Sequence, residues 1–382
     1  MDLIFNNNLQ LGRILILKVN KLIIIIDCKL KGIILHGGFG TRLRPFTHTM
    51  PKQLLPIANK PMSQYCVEVL RNAGITEIAI IIGGNNSHKV KEYYGDGTNF
   101  DVKFTYIFQE QPKGISHAIS LCQEFIQNEK FIVFLGDNIL KKNILEFKEN
   151  FEKSNSDATI LLCEVDNPTQ FGIADIEGNV IKKIIEKPKN PPSNFAVIGI
   201  YFLSPKIFDI IKKLKPSWRN ELEITDALEM LLVENGKIHF ETVTEFWKDT
   251  GTPHDILNAN EAILEDMKSY FHGTVKGDII QNGNVMVDEG SILDKNIQII
   301  GPVIIGKNCR IHSGSCIGPN VSIGDNCHIS NTIIENSIIM SNTQIEENKK
   351  ISNSIIAYNS QILSKENTNV QYFLGENSKI SK

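Results

Sequence analysis

The segment Lys31-Gly-Ile-Ile-Leu-His-Gly-Gly-Phe-Gly-Thr-Arg-Leu-Arg-Pro45, followed by Pro51-Lys-Gln-Leu-Leu-Pro56, gathers residue types that together bind a polyphosphate. The apolar run 32–35 reads as a buried parallel strand entering a loop with Gly37, Gly38 and Gly40. Glycines let backbone N–H groups approach phosphate oxygens with no Cβ in the way. Thr41 and Arg42 follow, and Lys52 comes after the rigid Pro51. Arg42 and Lys52 bring positive charge to the same anion, the layout of a nucleoside triphosphate site. Neither common phosphate loop is present: no third glycine completes GxGxxG, and no GK pair precedes Ser or Thr. A bare GGxG also suits a tight strand-to-helix turn, but the attached Thr-Arg-Leu and Pro-Lys-Gln favour the nucleotide reading.

Two acids stand out further along. Asp137 follows an apolar strand, and by position it is either a ligand-binding carboxylate or the N-cap of a helix beginning near Ile139. Near Asp249, Thr252 and Pro253 form the better cap-and-first-residue pair, which leaves Asp249 for other work.

These residues need a scaffold. Met62, Cys66, Val69, Leu70 and Ala73 recur with helical spacing before Gly74 ends the helix, making Cys66 a core residue. Strands are expected at 77–82, 102–108 and 131–135, with helices between them, giving an α/β fold: a mostly parallel Rossmann-like sheet with helices on both faces. Ligands of such sheets sit beyond the carboxyl ends of the strands, where the glycine loop and Asp137-Asn138 fall. From about residue 273 the pattern changes. Val287, Leu293, Ile299, Ile305, Ile311, Ile317, Ile323 and Ile329 recur every six residues, with Val285, Ser291, Ile297, Val303, Cys309, Ser315, Val321 and Cys327 two positions earlier. A six-residue period predicts a parallel β-helix of three-sided coils, with Gly306, Gly318 and Gly324 at corners. Beyond 329 the repeat loosens through Ile339, Ile345, Ile351 and Ile356. Cys309 and Cys327 fall at inward positions and read as packing residues, not metal ligands.

With 382 residues the chain should hold two domains. Forty basic against 43 acidic residues suggest neither a nucleic-acid partner nor a membrane surface. Seven scattered cysteines without a CxxC pair point to reduced thiols and a cytoplasmic protein. The apolar runs 14–17 and 22–26 are split by Lys18, Asn20 and Lys21, well short of the roughly 18 residues of a membrane span.

The motifs LHGGFGTRLRP, PKQLLPIANKPM, LGDN (135–138), EKP (186–188), WRNELEITDA (218–227) and WKDTGT (247–252) resemble, in this order, those of the sugar-1-phosphate nucleotidylyltransferases. Within that family the chain is most similar to the long-form glucose-1-phosphate thymidylyltransferases, a likeness extending to VQYFLGENSKI at 370–380. The resemblance implies a catalytic domain over 30–268 and a left-handed hexapeptide-repeat β-helix over 269–382. Family chains begin Met-Lys-Gly where this one has Leu30-Lys31-Gly32. Leu30 is therefore read as an alternative start codon, with residues 1–29 outside the natural protein; the rival reading is an extra edge strand. The intact mass of the native protein decides between them.

The resemblance also implies the chemistry. Glucose 1-phosphate attacks the α-phosphorus of dTTP in line, giving dTDP-glucose and pyrophosphate. The attacking phosphate oxygen is already ionised, so no general base is required and catalysis is positioning plus charge neutralisation. Unit charges about 4 Å apart repel by about 4 kcal/mol at an effective dielectric near 20, so cations must intervene. By resemblance Asp137 and Asp249 bind Mg²⁺, commonly held by one or two carboxylates plus substrate phosphates. Arg42 and Lys52 resemble the catalytic, triphosphate-binding cations; Lys187 and Arg219 resemble the residues holding the sugar's phosphate. Gln53, and Gln109 with Gly114, are expected at the base, since an amide matches the N3–H/O4 edge of a pyrimidine. Asn138, Gly172, Glu186 and Val197 match hexose-contacting positions. The chain departs from related patterns at Phe171, where short-form relatives carry Tyr, and at His36, where Ala is common. His36 reads as a packed or loop residue.

Alternatives remain at this level. UTP or another sugar 1-phosphate shares the required features. An acetyltransferase activity in the β-helix would need a base such as His312 or His328, both expected to face solvent. The favoured reading makes the β-helix an assembly module of a closed homo-oligomer.

Overall fold

The computed structural model describes residues 14–19, 22–27, 30–38, 40–84, 86–347, 350–364 and 369–381. The chain divides into two compact units, one formed by residues up to 38 with 65–247, the other by 39–64 with 248–382. Among the described residues the strands Ile14–Val19 and Leu22–Asp27 pair antiparallel as a separate two-stranded sheet. The rival reading of an extra edge strand is met by this pair of strands instead, apart from the larger sheet; residues 1–13, 20, 21, 28 and 29 lie outside the described residues.

The first unit is built on a nine-stranded mixed sheet. Its parallel part runs Phe131–Leu135, Lys31–His36, Glu77–Ile82, Lys103–Phe108, in register from Lys31↔Phe131 and Gly32↔Ile78 onward. Ile33, Ile34, Ile80, Ile81, Val133 and Phe134 are fully buried. Strands covered on both faces need such continuous apolar runs. Antiparallel strands extend the sheet: Phe195–Leu203 pairs with Phe131–Leu135, Ala158–Glu164 and Gly172–Glu177, and Val180–Glu186 forms the edge. The helix Met62–Asn72 ends as expected, with Cys66 and Leu70 fully buried and Gly74 in left-handed conformation at φ +78°.

The second unit is a left-handed parallel β-helix whose coils stack into three sheets of seven, seven and six strands. The first coils advance by 18 residues, as Val285↔Val303↔Val321 shows. Val287, Leu293, Ile299, Ile305, Ile311, Ile317, Ile323 and Ile329 are all buried in one apolar core, and so are Ile339, Ile345, Ile351 and Ile356. Past Ile329 the coils tighten: Ile323 pairs with Ile339 and Ile317 with Ile334. Five-residue sides carry Ile329 to Ile334 to Ile339, so the period slips by one while the inward position is kept. The corners lean on asparagine: Asn308, Asn320, Asn326, Asn336, Asn342, Asn353 and Asn359 all adopt positive φ, which Asn tolerates best among non-glycines. Gly306 and Gly324 serve a different need. A Cβ at Gly324 would stand 2.7 Å from the backbone nitrogen of Ser341 in the next coil.

Ile323→Ala should lower the stability of the β-helix by about 2–5 kcal/mol, because a fully buried side chain leaves a cavity. Ile333→Ala, at an outward position 41% exposed, should stay within about 0.5 kcal/mol. Denaturant midpoints of the two variants check the contrast.

Candidate active site

Four candidate positions lie just beyond carboxyl ends of the parallel strands. Gly37 and Gly38 follow Lys31–His36, Gln109 follows Lys103–Phe108, and Asp137 follows Phe131–Leu135. Gly38 takes φ +93°, and the space a Cβ would occupy there is open. Gln109 is 5% exposed; its Nε2 donates to His117 Nδ1 at 2.8 Å and lies 3.4 Å from the carbonyl of Gly114. An amide nitrogen can only donate, so His117 must be neutral with Nδ1 accepting. Burial and Lys113 both lower the His117 pKa, which favours that form. The amide oxygen of Gln109 then faces Gly37, 3.2 Å from where a Cβ would sit. Gly114 answers a packing need. It has φ +100°, and a Cβ would meet Leu222 backbone oxygen at 2.5 Å.

Asp137 does not cap a helix. It sits in a turn before the short strand Asn138–Leu140, which removes the capping alternative. Trp247 Nε1 donates to Asn138 Oδ1 at 2.7 Å, and an indole N–H has no other role. That fixes the Asn138 amide so that Nδ2 donates to Asp137 Oδ1 at 2.9 Å. Cys66 Sγ donates to the Asn138 carbonyl at 3.4 Å, and Phe171 packs edge-on against Trp247 at 5.6 Å between centroids.

Glu186, Lys187 and Arg219 come together. Glu186 accepts from Arg219 at 3.2 Å and from Thr225 Oγ1 at 3.0 Å, with Lys187 Nζ at 3.6 Å. Arg219 also pairs with Glu221 at 3.1 Å and Glu223 at 3.4 Å. Burial and the neighbouring Glu223 raise the Glu186 pKa above the usual carboxylate range, against the pull of Lys187, Thr225 and Arg219. Gly172 admits Thr225, whose Cγ2 would lie 2.5 Å from a Cβ. Val197 is 7% exposed and belongs to the apolar core of the sheet.

In the second unit, Gly40 at φ +58° leads into the 3-10 turn Thr41–Leu43. Arg42 lays its guanidinium on Gly251, 3.1 Å from the place a Cβ would take, so a side chain at 251 would press on the guanidinium. Lys52 is 8% exposed and pairs with Asp249 at 3.8 Å, an ion pair longer than a hydrogen bond. Gln53 is 2% exposed, and its carbonyl accepts from Ser63 Oγ at 2.9 Å. The helix Pro253–Asp266 is capped by Thr252 and Asp255 reciprocally, which leaves Asp249 out of the cap as expected.

Sequence reading passed over His117, Thr225, Trp247 and Gly251 as site residues. The last three lie inside recognised motifs, whereas nothing local marks His117. Carboxylate oxygens suit a hard divalent ion. Among the described residues no group of three or more His, Cys, Asp and Glu is placed to hold a metal ion. Asp137 and Asp249 each offer the hard oxygen donors that suit Mg²⁺.

His36 is 3% exposed, and neither ring nitrogen has a hydrogen-bond partner. Burial lowers its pKa to about 3, with a weaker opposing pull from Asp137. The unfolded chain takes up this proton below about 6.5 and the folded chain only near 3, so stability falls as pH drops through that interval. At pH 5 the loss from this group is about 2 kcal/mol. His36→Ala should therefore lose less stability than wild type between pH 7 and 5, read from urea midpoints at both.

Among the described residues no helix is long and apolar enough to cross a membrane. A family model for nucleotidyl transferases matches residues 31–266, and one for the GMPPB C-terminal domain matches 299–382. The low-salt glycan biosynthesis nucleotidyltransferase Agl11 of Haloferax volcanii is 43% identical over 318 residues, covering 83% of this chain and 89% of that protein. A glucose-1-phosphate thymidylyltransferase of Streptomyces antibioticus is 38% identical over 357 residues, covering 92% of this chain and 99% of that protein. A crystal structure described as a candidate glucose-1-phosphate thymidylyltransferase from Bacillus anthracis, with a sucrose, superposes with TM-score 0.59 at 41% identity. It covers 63% of this chain and 98% of that one.

Proposed function

Since the chain belongs to the nucleotidyl transferase family and is an enzyme of sugar-1-phosphate nucleotidylyl transfer, we propose that it joins dTTP and glucose 1-phosphate into dTDP-glucose, releasing pyrophosphate. The observation that carries the reading is the Lys52–Asp249 pair beside a guanidinium seated on Gly251. These are charges held at fixed places, one of each sign, on the segment that the sequence marks for phosphate. Lys52 and Arg42 neutralise triphosphate oxygens, and the amides of the glycine loop donate to them. Asp137 and Asp249 would hold Mg²⁺, which when bound neutralises phosphate charge that the two cations leave over. Lys187 and Arg219 hold the sugar's phosphate. Arg219 meets three carboxylates here, so it must exchange one of them for phosphate when substrate enters. No side chain needs to take a proton from the nucleophile.

The state of Gln109 supports a pyrimidine partner. With its NH₂ committed to His117, the amide oxygen remains to accept from N3–H. UTP presents the same edge as dTTP, so the test is a nucleotide-by-sugar panel followed by pyrophosphate release, with and without Mg²⁺. dTTP with glucose 1-phosphate should give the highest kcat/KM and depend on the ion. A higher value for UTP, or for another sugar, reassigns the substrate; turnover unaffected by chelation removes the metal.

A further inference from the structure

The segment 40–55 carries Thr41, Arg42, Lys52 and Gln53, yet its own structure is three separate 3-10 turns, Thr41–Leu43, Phe46–His48 and Lys52–Leu54. Isolated single turns have little stability of their own, so what the segment packs on must set its shape. Leu43 and Phe46 are each 1% exposed. Phe46 meets Phe373 edge-on, with ring centroids 6.5 Å apart and planes at 84°. Two residues along, a Cβ on Gly375 would stand 3.2 Å from Pro45 Cβ, so the backbone of the last coil lies directly against Pro45. Within the segment, Thr47 Oγ1 donates to the carbonyl of Gly40 at 2.8 Å. A Cβ on Gly40 would meet Thr47 Cγ2 at 2.8 Å and Lys52 Cβ at 3.3 Å. A line of contacts therefore runs from Phe373 and Gly375 through 45–47 to Gly40 and Lys52.

Phe373 has no part in the interior of its own coil. Leu374 packs toward the apolar core, while Phe373 points outward and stays 39% exposed. The aromatic ring on this strand serves the segment, not the β-helix.

We propose that Phe373 and Gly375 are positioning residues for nucleotidyl transfer: the last coil seats the phosphate-binding segment and thereby places Arg42 and Lys52. This rests on the roles proposed above for those two cations. The β-helix is then a part of the catalytic apparatus and more than an assembly module.

The test uses the full chain and four variants. Phe373→Ala removes the ring, Gly375→Val pushes against Pro45, Phe373→Tyr keeps the ring, and Ile362→Ala weakens the β-helix interior away from the segment. Phe373→Ala and Gly375→Val should lower kcat on the order of tenfold or more and raise KM for dTTP, because small misplacements of positioning groups are costly. KM for glucose 1-phosphate should not move. Phe373→Tyr should match wild type, and Ile362→Ala should lower the thermal midpoint with KM for dTTP unchanged. Without substrates, amide hydrogen exchange in 40–55 should quicken in Phe373→Ala. Wild-type exchange and kinetics in Phe373→Ala overturn the proposal, as does the same KM shift in Ile362→Ala. If the wild-type chain turns over no nucleotide–sugar pair, the proposed function fails, and exchange in 40–55 alone decides whether the last coil seats the segment.

Discussion

Asparagine in place of Asp249 or Asp137 is expected to lower kcat roughly a hundred- to a thousandfold, the range found when one charge-stabilising group is removed. The substitution is nearly isosteric and changes charge alone. At 137 the new amide oxygen can still accept from Asn138 Nδ2, so the chain Trp247–Asn138–137 persists. At 249 the side chain is 34% exposed and outside the helix cap, so its neutral form costs little stability. Thermal midpoints should therefore stay near wild type while turnover collapses. If these carboxylates hold the ion, each variant should also need more Mg²⁺ for half-maximal rate, and saturating Mg²⁺ should restore part of the loss. Near-normal rates in both variants at low Mg²⁺ would remove the metal role.

The interior of the β-helix was readable from spacing because its requirement is one-dimensional: one residue in six must face inward and be apolar. Ile334 escaped that rule because two sides shorten to five residues, a change the parallel pairing absorbs without exposing the position. The strand after Asp137 escaped for another reason. Asn-Ile-Leu is three residues long, too short for periodicity to separate helix from strand. The antiparallel half of the sheet was also not foreseen, since 158–203 lacks the alternation of strands and helices that marks parallel units.

Least visible was the allegiance of 39–64. These residues follow the first strand of the sheet in sequence, yet they fold with the coils more than 200 positions later. The Ala58 N–H donates to Asn260 Oδ1 at 2.9 Å, and Asn59 Nδ2 donates to the carbonyl of Ile323 at 2.7 Å. Ser322 Oγ completes the junction by donating to Asn260 Oδ1 at 2.6 Å. Such bonds depend on single polar residues with no local period, so only the folded chain reveals them. The motifs themselves were legible as chemistry, but not their supports. Gly251 and Phe373 act through the space they leave or fill around Arg42 and Phe46.

Lys52→Ala should lower kcat by about a hundred- to a thousandfold, with a modest stability change. Lys52 is 8% exposed, so its charge acts where water screens poorly and is worth more than at an open surface. Its partner Asp249 keeps 34% exposure and can be resolvated, so losing the ion pair need not unfold the segment. Lys52→Arg should not restore the rate. A planar guanidinium directs its donors differently from a compact ammonium. Ethylammonium added to Lys52→Ala should recover part of the turnover in a saturable manner and do nothing for Asp249→Asn, since a small cation can replace only a missing cation. Steady-state rates against amine concentration read this directly, and a Lys52→Ala variant working at wild-type speed without amine would take Lys52 out of the reaction.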